Sequence, residues 1–346
     1  MKPPVFPRGP LLVDLAGPVL TAEERERLLH PAVGGVILFA RNCLDAAQVR
    51  ALCADLHALR QPSLLIAIDQ EGGRVQRLTA GVTRFPPQAS LGRLWDQAGM
   101  LPAVTMARDW GRLLGAELRG LGIDLDFTPC VDLDWGVSAV IGDRALHRDP
   151  QVVATLAEAL WQGLATTGLR GVAKHFPGHG AVAADSHMVL PVDRRSWAEL
   201  AAADLYPFAA LIAAGIPGIM PAHCLYPDVD DQPAGFSRRW LQDILREQMG
   251  FAGAIISDDL SMGGAHGLGD VPARAAAALA AGCDLLLICN DPAAADQAMA
   301  ALAPRSWADR AQRLAGLAGA DPGAGLAAEE AAALARRIAG LHASLS

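Results

Sequence analysis

Short apolar runs bounded by turn residues recur along the chain, at 11–16, 34–40, 64–69, 125–131, 171–175, 218–223, 254–258 and 285–290. They do not alternate with polar residues. That pattern predicts parallel strands covered on both faces. Between them lie segments with helical spacing, at 46–60, 103–121, 151–167, 237–249 and 273–281. Asp45 stands before the first as an N-cap, Gly122 follows the second, and the third is framed by Asp149-Pro150 and Gly168. Asp-Pro at the start and Gly at the exit are helix punctuation. Eight strand–helix units predict a single α/β domain over 1–346, a (β/α)8 TIM-type barrel. The competing doubly wound sheet calls for a glycine-rich phosphate turn after the first strand, and Leu15-Ala16-Gly17-Pro18 is not one. Residues 325–346, rich in alanine with Glu329, Glu330, Arg336 and Arg337, predict a helical extension packed on the barrel wall.

The polar residues at the ends of these runs change the picture from a scaffold to an enzyme. Asp69, His175, His223 and Asp258 all stand at C-terminal strand ends, and in a barrel those ends surround one mouth where substrates bind. The richest stretch is Lys174-His175-Phe176-Pro177-Gly178-His179-Gly180, followed by Asp185-Ser186-His187. Groups that titrate, donate and accept are gathered there just after a buried strand, on chain free to bend.

Composition narrows the partners. Hydrophobic residues make up 52% and charged ones 19%, ample for a full core. A net charge of −8 offers no basic stripe for nucleic acid or an anionic membrane. Cys43, Cys53, Cys130, Cys224, Cys283 and Cys289 show no CxxC pairing and lie mostly in apolar runs, so they read as free buried thiols of a reducing cytoplasm. No signal peptide and no membrane-length apolar run is evident.

Each motif carries an alternative. In Asp69-Gln70-Glu71-Gly72-Gly73-Arg74-Val75-Gln76-Arg77, Asp69 and Arg77 can grip a polyol, whereas Glu71 and Arg74 fit a site and a structural ion pair equally. Arg144 can reach the mouth with Asp143 orienting it, or join Asp143, Arg148 and Asp149 in an ion pair at a helix start. In Ser257-Asp258-Asp259-Leu260-Ser261-Met262, continuing the strand makes Asp258 the exit residue, suited to a nucleophile; Asp259 fits a helix cap. Asp185 and His187, one residue apart, suit a carboxylate that orients an imidazole acid/base. The alternative is a zinc set of His175, His179, Asp185 and His187 in a metal-dependent barrel hydrolase. Residues 178–187, with two glycines and no large apolar side chain, predict a mobile loop.

Together these residues resemble the bacterial β-N-acetylhexosaminidases of glycoside hydrolase family 3, the NagZ type. The matching elements run nearly end to end and in order. They include Gly34-Gly35-Val36-Ile37-Leu38-Phe39 with Arg41-Asn42, the Asp69 motif, Asp132-Leu133-Asp134, and Arg144 with the residues before it. The Lys174 and Asp185 motifs, Pro221-Ala222-His223, the Ser257 motif and Ala281-Gly282-Cys283-Asp284 complete them. Ala254 departs from the larger aliphatic usual in that family, which bears on packing and not on chemistry. The resemblance implies Asp258 as nucleophile and His187 as acid/base with Asp185 as its partner. It implies Asp69, Arg77, Arg144, Lys174 and His175 as sugar-binding residues. It also implies a retaining, cofactor- and metal-free exo-β-N-acetylglucosaminidase acting as a cytoplasmic monomer. Its substrate would be GlcNAc-1,6-anhydro-MurNAc or its peptides in peptidoglycan recycling, with phosphorolysis on the same site as a side activity. No role for His223 follows from it.

Overall fold

A computed structural model describes residues 3–302, 307, 310–321 and 325–344. Its strands are β1 (Leu11–Val13), β2 (Val33–Leu38), β3 (Leu65–Ile68), β4 (Leu125–Asp126), β5 (Arg170–Phe176), β6 (Gly218–Pro221), β7 (Ala254–Ile255) and β8 (Leu286–Ile288). They pair in the order β8-β1-β2-β3-β4-β5-β6-β7, all parallel. The ring closes between β7 and β8 through an Ile256–Leu285 bridge, where the Ser257 N–H donates to the Leu285 carbonyl at 2.8 Å. The expected (β/α)8 barrel is therefore the fold.

Several strands are shorter than their apolar runs. β4 stops at Asp126 although the run continues to 131, because Pro129 has no N–H to extend the ladder. Pairing resumes only as an isolated Cys130–Lys174 bridge. The peptides Lys174–His175, Phe176–Pro177, Thr128–Pro129 and Gln61–Pro62 are cis.

The expected helices are present with corrected ends: Ala46–His57, Met100–Leu121, Pro150–Ala165 and Val271–Ala281. Arg239–Gln248 winds as a π-helix. Asp45, Asp149 and Asp270 cap three of them by accepting an N–H of the first turn. The pattern did not single out Ala22–Leu28, which is nearly all charged, or Leu205–Ala213, which is apolar on every side. Neither carries a clear stripe, and each is fixed by its place between strands.

Inside the ring, side chains such as Leu12, Leu65, Phe127, Val172 and Leu285 form one apolar cluster. Leu314 and Leu317 join it, and Leu317 approaches Gly218 at the start of β6, so they stop the N-terminal end of the barrel. The terminal helix Ala328–Ser344 buries Leu334, Ile338 and Leu341. It also pairs Glu330 with Arg112 at 2.6 Å and Arg337 with Asp109 at 2.5 Å on Met100–Leu121, as expected for a helix on the wall. No helix among the described residues is long and apolar enough to cross a membrane.

Candidate active site

The C-terminal strand ends enclose a cavity of about 220 Å³ whose lining includes Asp69, Arg77, Arg144, Lys174, His175, His187 and Asp258. Ile37, Phe127, Met220 and Leu287 also line it. These are side chains of the barrel interior, so the cavity is blind.

Lys174 and His175 are consecutive yet both reach the cavity. In a regular strand they would face opposite ways, but the β5–β6 register shifts between Lys174 and Phe176. Such an irregularity re-aims a side chain at a site. Across the mouth, Gln70–Gly72 pairs antiparallel with Val75–Gln76 and presents Glu71 and Arg77. The turn needs glycine. Gly72 has φ +103°, and a Cβ there would lie 2.4 Å from the Pro86 carbonyl oxygen.

Glu71 organises one wall. Its carboxylate accepts two hydrogen bonds from Arg144, at 2.9 and 2.8 Å, and pairs with Lys174 at 2.6 Å. Lys174 also pairs with Asp69 at 2.8 Å, and Asp69 with Arg77 at 3.1 Å. Three cations thus meet two carboxylates, which leaves one positive charge on the wall. Burial pushes the Glu71 carboxyl upward, but Arg144 and Lys174 outweigh it and hold the group down at about 2. Asp69 is likewise held below the usual carboxylate range by Lys174 and Arg77 against burial.

The expectation that Asp143 orients Arg144 is corrected: Asp143 bonds the Arg74 Nε at 3.1 Å. Arg74 also donates to the carbonyls of Ala139, Val140 and Ile141, so it ties the loop together. The suggested ion pair at the helix start does not form either, since Asp149 caps Gln151. Glu71, which sequence left undecided, is the residue that orients Arg144.

A stability consequence follows. Ionised Glu71 stabilises the folded state fully above its ordinary value of 4.5, and that contribution is lost as pH falls toward about 2. Glu71→Gln leaves two buried cations short of a partner and is expected to cost about 3–5 kcal/mol. Denaturant unfolding at pH 7 measures the loss. A melting temperature that declines as steeply between pH 4.5 and 2 in the variant as in the parent would show that Glu71 is not the responsible group.

His175 is oriented by Asp132. Its Nδ1 lies 2.6 Å from the Asp132 carboxylate, which also accepts the His179 N–H at 2.7 Å. Nε2 is the nitrogen left to meet a ligand. Asp132 is buried beyond the end of its strand, and such an aspartate signals a partner only once the strands are arranged in space. His179 also lines the cavity, and both of its ring nitrogens lack partners. Burial first, then His175, lower its pKa, so it is neutral near pH 7.

Asp258 is half-buried at the cavity floor. Burial pushes its pKa up, but the neighbouring imidazoles of His223 and His175 and the Asp259 N–H bring it below the ordinary value. It is a carboxylate at neutral pH. Asp259 turns to the backbone instead, with its Oδ1 accepting from Ser261 N–H at 2.9 Å and Cys289 N–H at 3.1 Å. Burial raises its pKa to about 6. The two adjacent carboxylates therefore divide as their register suggests.

His187 pairs its Nδ1 with the Asp185 carboxylate at 2.7 Å, and the ring is 61% exposed. Its loop is more firmly held than the two glycines imply. Val182 is buried in the core, and the Gly178 carbonyl accepts the Tyr226 hydroxyl at 2.6 Å. At the far end, Gly263 and Gly264 donate to the carbonyls of His187 at 3.0 Å and Ser186 at 2.9 Å. A Cβ at Gly263 would come within 2.3 Å of the Met188 carbonyl oxygen, so glycine permits this dock.

The zinc set His175, His179, Asp185 and His187 is not gathered. The donors that converge among the described residues are Cys130, Asp132 and His175, within 4.8 Å of one another. They fit a metal poorly. Asp132 already accepts a hydrogen bond from the Cys130 thiol at 3.3 Å as well as from His175. Burial also holds the Cys130 thiol well above its usual pKa, far from the thiolate that zinc takes.

The glycosyl hydrolase family 3 N-terminal domain matches residues 12–312. The chain belongs to that family. The β-hexosaminidase of Chromobacterium violaceum is 56% identical over 314 residues, 91% of this chain and 88% of that one. NagZ of Neisseria gonorrhoeae in complex with N-trifluoroacetyl-D-glucosamine superposes with a TM-score of 0.91 at 48% identity, covering 98% of this chain and 99% of that one. The same gonococcal protein in complex with a zinc ion gives a TM-score of 0.89 at 46% identity over 98% and 99% of the two chains. The family 3 chain is a glycoside hydrolase with β-N-acetylhexosaminidase activity.

Proposed function

We propose that this enzyme is a retaining exo-β-N-acetylglucosaminidase, with Asp258 as nucleophile and His187 as acid/base. The observation that carries the reading is that Asp258 and His187 line the same blind cavity, while Asp69 and Glu71 are committed to cations. A blind cavity admits a chain end and no internal residue, which supports exo action. The cationic wall of Lys174, Arg77 and Arg144, with His175 Nε2, offers charge-assisted hydrogen bonds to sugar hydroxyls.

In the first step the Asp258 carboxylate attacks the anomeric carbon. The bond to the leaving oxygen breaks, and imidazolium His187 gives that oxygen its proton. In the second, neutral His187 takes a proton from water, whose oxygen displaces Asp258 from the anomeric carbon. Two inversions retain the β configuration. Asp185, bonded to Nδ1, orients the ring and assigns the proton transfers to Nε2.

The substrate we propose is β-linked GlcNAc at a non-reducing end, on 1,6-anhydro-MurNAc with or without its peptide. The setting is peptidoglycan recycling in the cytoplasm. The free cysteines, five of them buried, suit a reducing compartment. Release of β-GlcNAc from an aryl β-GlcNAc and from the anhydro-disaccharide, followed by NMR, tests the reading; an α product as the first anomer would overturn retention.

A second reading, phosphorolysis, is favoured by the use of imidazole where most glycosidases place a carboxylate, because it adds no anion beside an incoming phosphate. GlcNAc-1-phosphate formed in phosphate buffer would reveal it. No step in this chemistry uses a metal. Turnover is expected to survive prolonged EDTA treatment, and activity restored only by zinc would refute a metal-free proton transfer.

A further inference from the structure

His223 stands at the end of β6, fully buried and absent from the cavity lining. Its Nε2 lies 3.0 Å from the Asp259 carbonyl oxygen, and its Nδ1 has no partner. A carbonyl only accepts, so Nε2 carries the proton and Nδ1 is left as a bare lone pair. Burial holds the ring neutral, which a single N–H requires. The ring stacks on Phe236, with centroids 5.2 Å apart and planes at 15°. Burying an imidazole with one unsatisfied nitrogen is costly compared with an apolar side chain of similar size. The N–H is the part an apolar residue cannot replace.

That N–H meets the chain beside the nucleophile. The 257–260 segment is tied to the β8 side of the ring by Ser257 N–H to Leu285, Leu260 N–H to Leu287 and the Asp259 carboxylate to Cys289 N–H. On the β6 side, His223 holds the carbonyl of Asp259, in the peptide that joins Asp259 to Leu260. The Asp259 N–H in turn donates to the Asp258 Oδ1 at 2.8 Å. The carbonyl that His223 holds and the amide that fixes the Asp258 carboxylate both belong to Asp259. His223 also touches the dock of the acid/base loop. A Cβ at Gly264 would lie 3.1 Å from the His223 Cβ and 3.0 Å from the Ser186 carbonyl oxygen.

We infer that His223 is a positioning residue for the nucleophile: its Nε2–H, held in one plane by Phe236, fixes the backbone at Asp259 and so the direction of the Asp258 carboxylate. The inference rests on Asp258 being the nucleophile, as proposed above. His223 touches no substrate in this arrangement, so it acts on the rate of attack and leaves sugar binding alone.

The test compares His223→Gln, whose amide N–H reaches about as far as Nε2, with His223→Asn, too short to reach, and His223→Leu, which has no donor. For each, kcat and KM on an aryl β-GlcNAc and the melting temperature are measured, with Asp258→Asn alongside. Misplacing a reacting group by about 1 Å can cost about 100-fold, so kcat for the Asn and Leu variants is expected to fall by about that factor, with KM changed less than about twofold. His223→Gln is expected to recover about tenfold of the loss. Should the Leu variant not fold, the Gln and Asn pair decides alone. Equal kcat for Gln and Asn, or a loss carried by KM, overturns the positioning role. Full turnover by Asp258→Asn would instead remove the proposed nucleophile, whatever the His223 series shows.

Discussion

Replacing Asp258 by asparagine is expected to lower turnover by several orders of magnitude, whereas Asp259→Asn is expected to keep most of it. A neutral amide cannot form the glycosyl ester at the anomeric carbon. The two positions differ in what surrounds them. Asp258 faces the cavity as a carboxylate, brought below the usual range by neighbouring imidazoles despite burial. Asp259 spends its Oδ1 on two backbone N–H groups, and an asparagine carbonyl can accept both. Steady-state rates on an aryl β-GlcNAc separate the variants, and mass spectrometry of the enzyme quenched during turnover locates the sugar. Greater damage from Asp259→Asn, or a sugar found on another residue, would mean that the nucleophile has been assigned to the wrong side of the strand exit.

His187→Ala is expected to show a loss that depends on the leaving group. General acid catalysis contributes about 10²–10⁴-fold when the departing oxygen needs a proton. A loss of that size is expected in kcat/KM for the anhydro-disaccharide. A dinitrophenyl leaving group departs without protonation, and there the loss is expected to stay within about tenfold, since kcat/KM stops at the first irreversible step. Asp185→Asn is expected to fall between, because the ring keeps a hydrogen-bonding partner but loses the carboxylate that orients it. Equal losses on both substrates would reduce His187 to a binding or structural role.

Much of the barrel was legible because parallel strands buried on both faces leave short, continuous apolar runs, and each of the eight runs became a strand. The ends were less legible. Pro129 ended β4 early, while Phe176 was drawn into β5 by pairing with β6, a contact no local pattern reports. At the site, the residues expected to bind sugar, to attack and to carry the proton all line one cavity; Asp69, Lys174, His175 and Asp258 reach it from strand ends, which are fixed points of the fold. What the sequence could not convey was pairing. Arg144 sits two residues before Leu146 and one after Asp143, yet its partner is Glu71, far upstream on a different loop. The division of labour between Glu71 and Arg74 rests on which of them points under the wall and which over the 139–141 turn. The contacts of residues 178–187 were illegible for a related reason: they are Val182 in the core and two N–H groups donated from 263–264, and composition is silent about both.

The plug at the foot of the barrel bears on how the chain reaches this fold. Leu314 and Leu317 complete the interior, yet they follow the last strand by more than twenty residues and come from a different layer of the molecule. β1 waits equally long for its second neighbour, since residues 11–13 pair with 286–288. A chain emerging from the ribosome can assemble the central strands in order, but it cannot seal the ring until residue 288 or its base until residue 317 has been made. Until then the apolar interior opens to water at one edge and below. Synthesis itself thus imposes a late, cooperative closing step, and the interval before it is when this protein most needs protection from self-association.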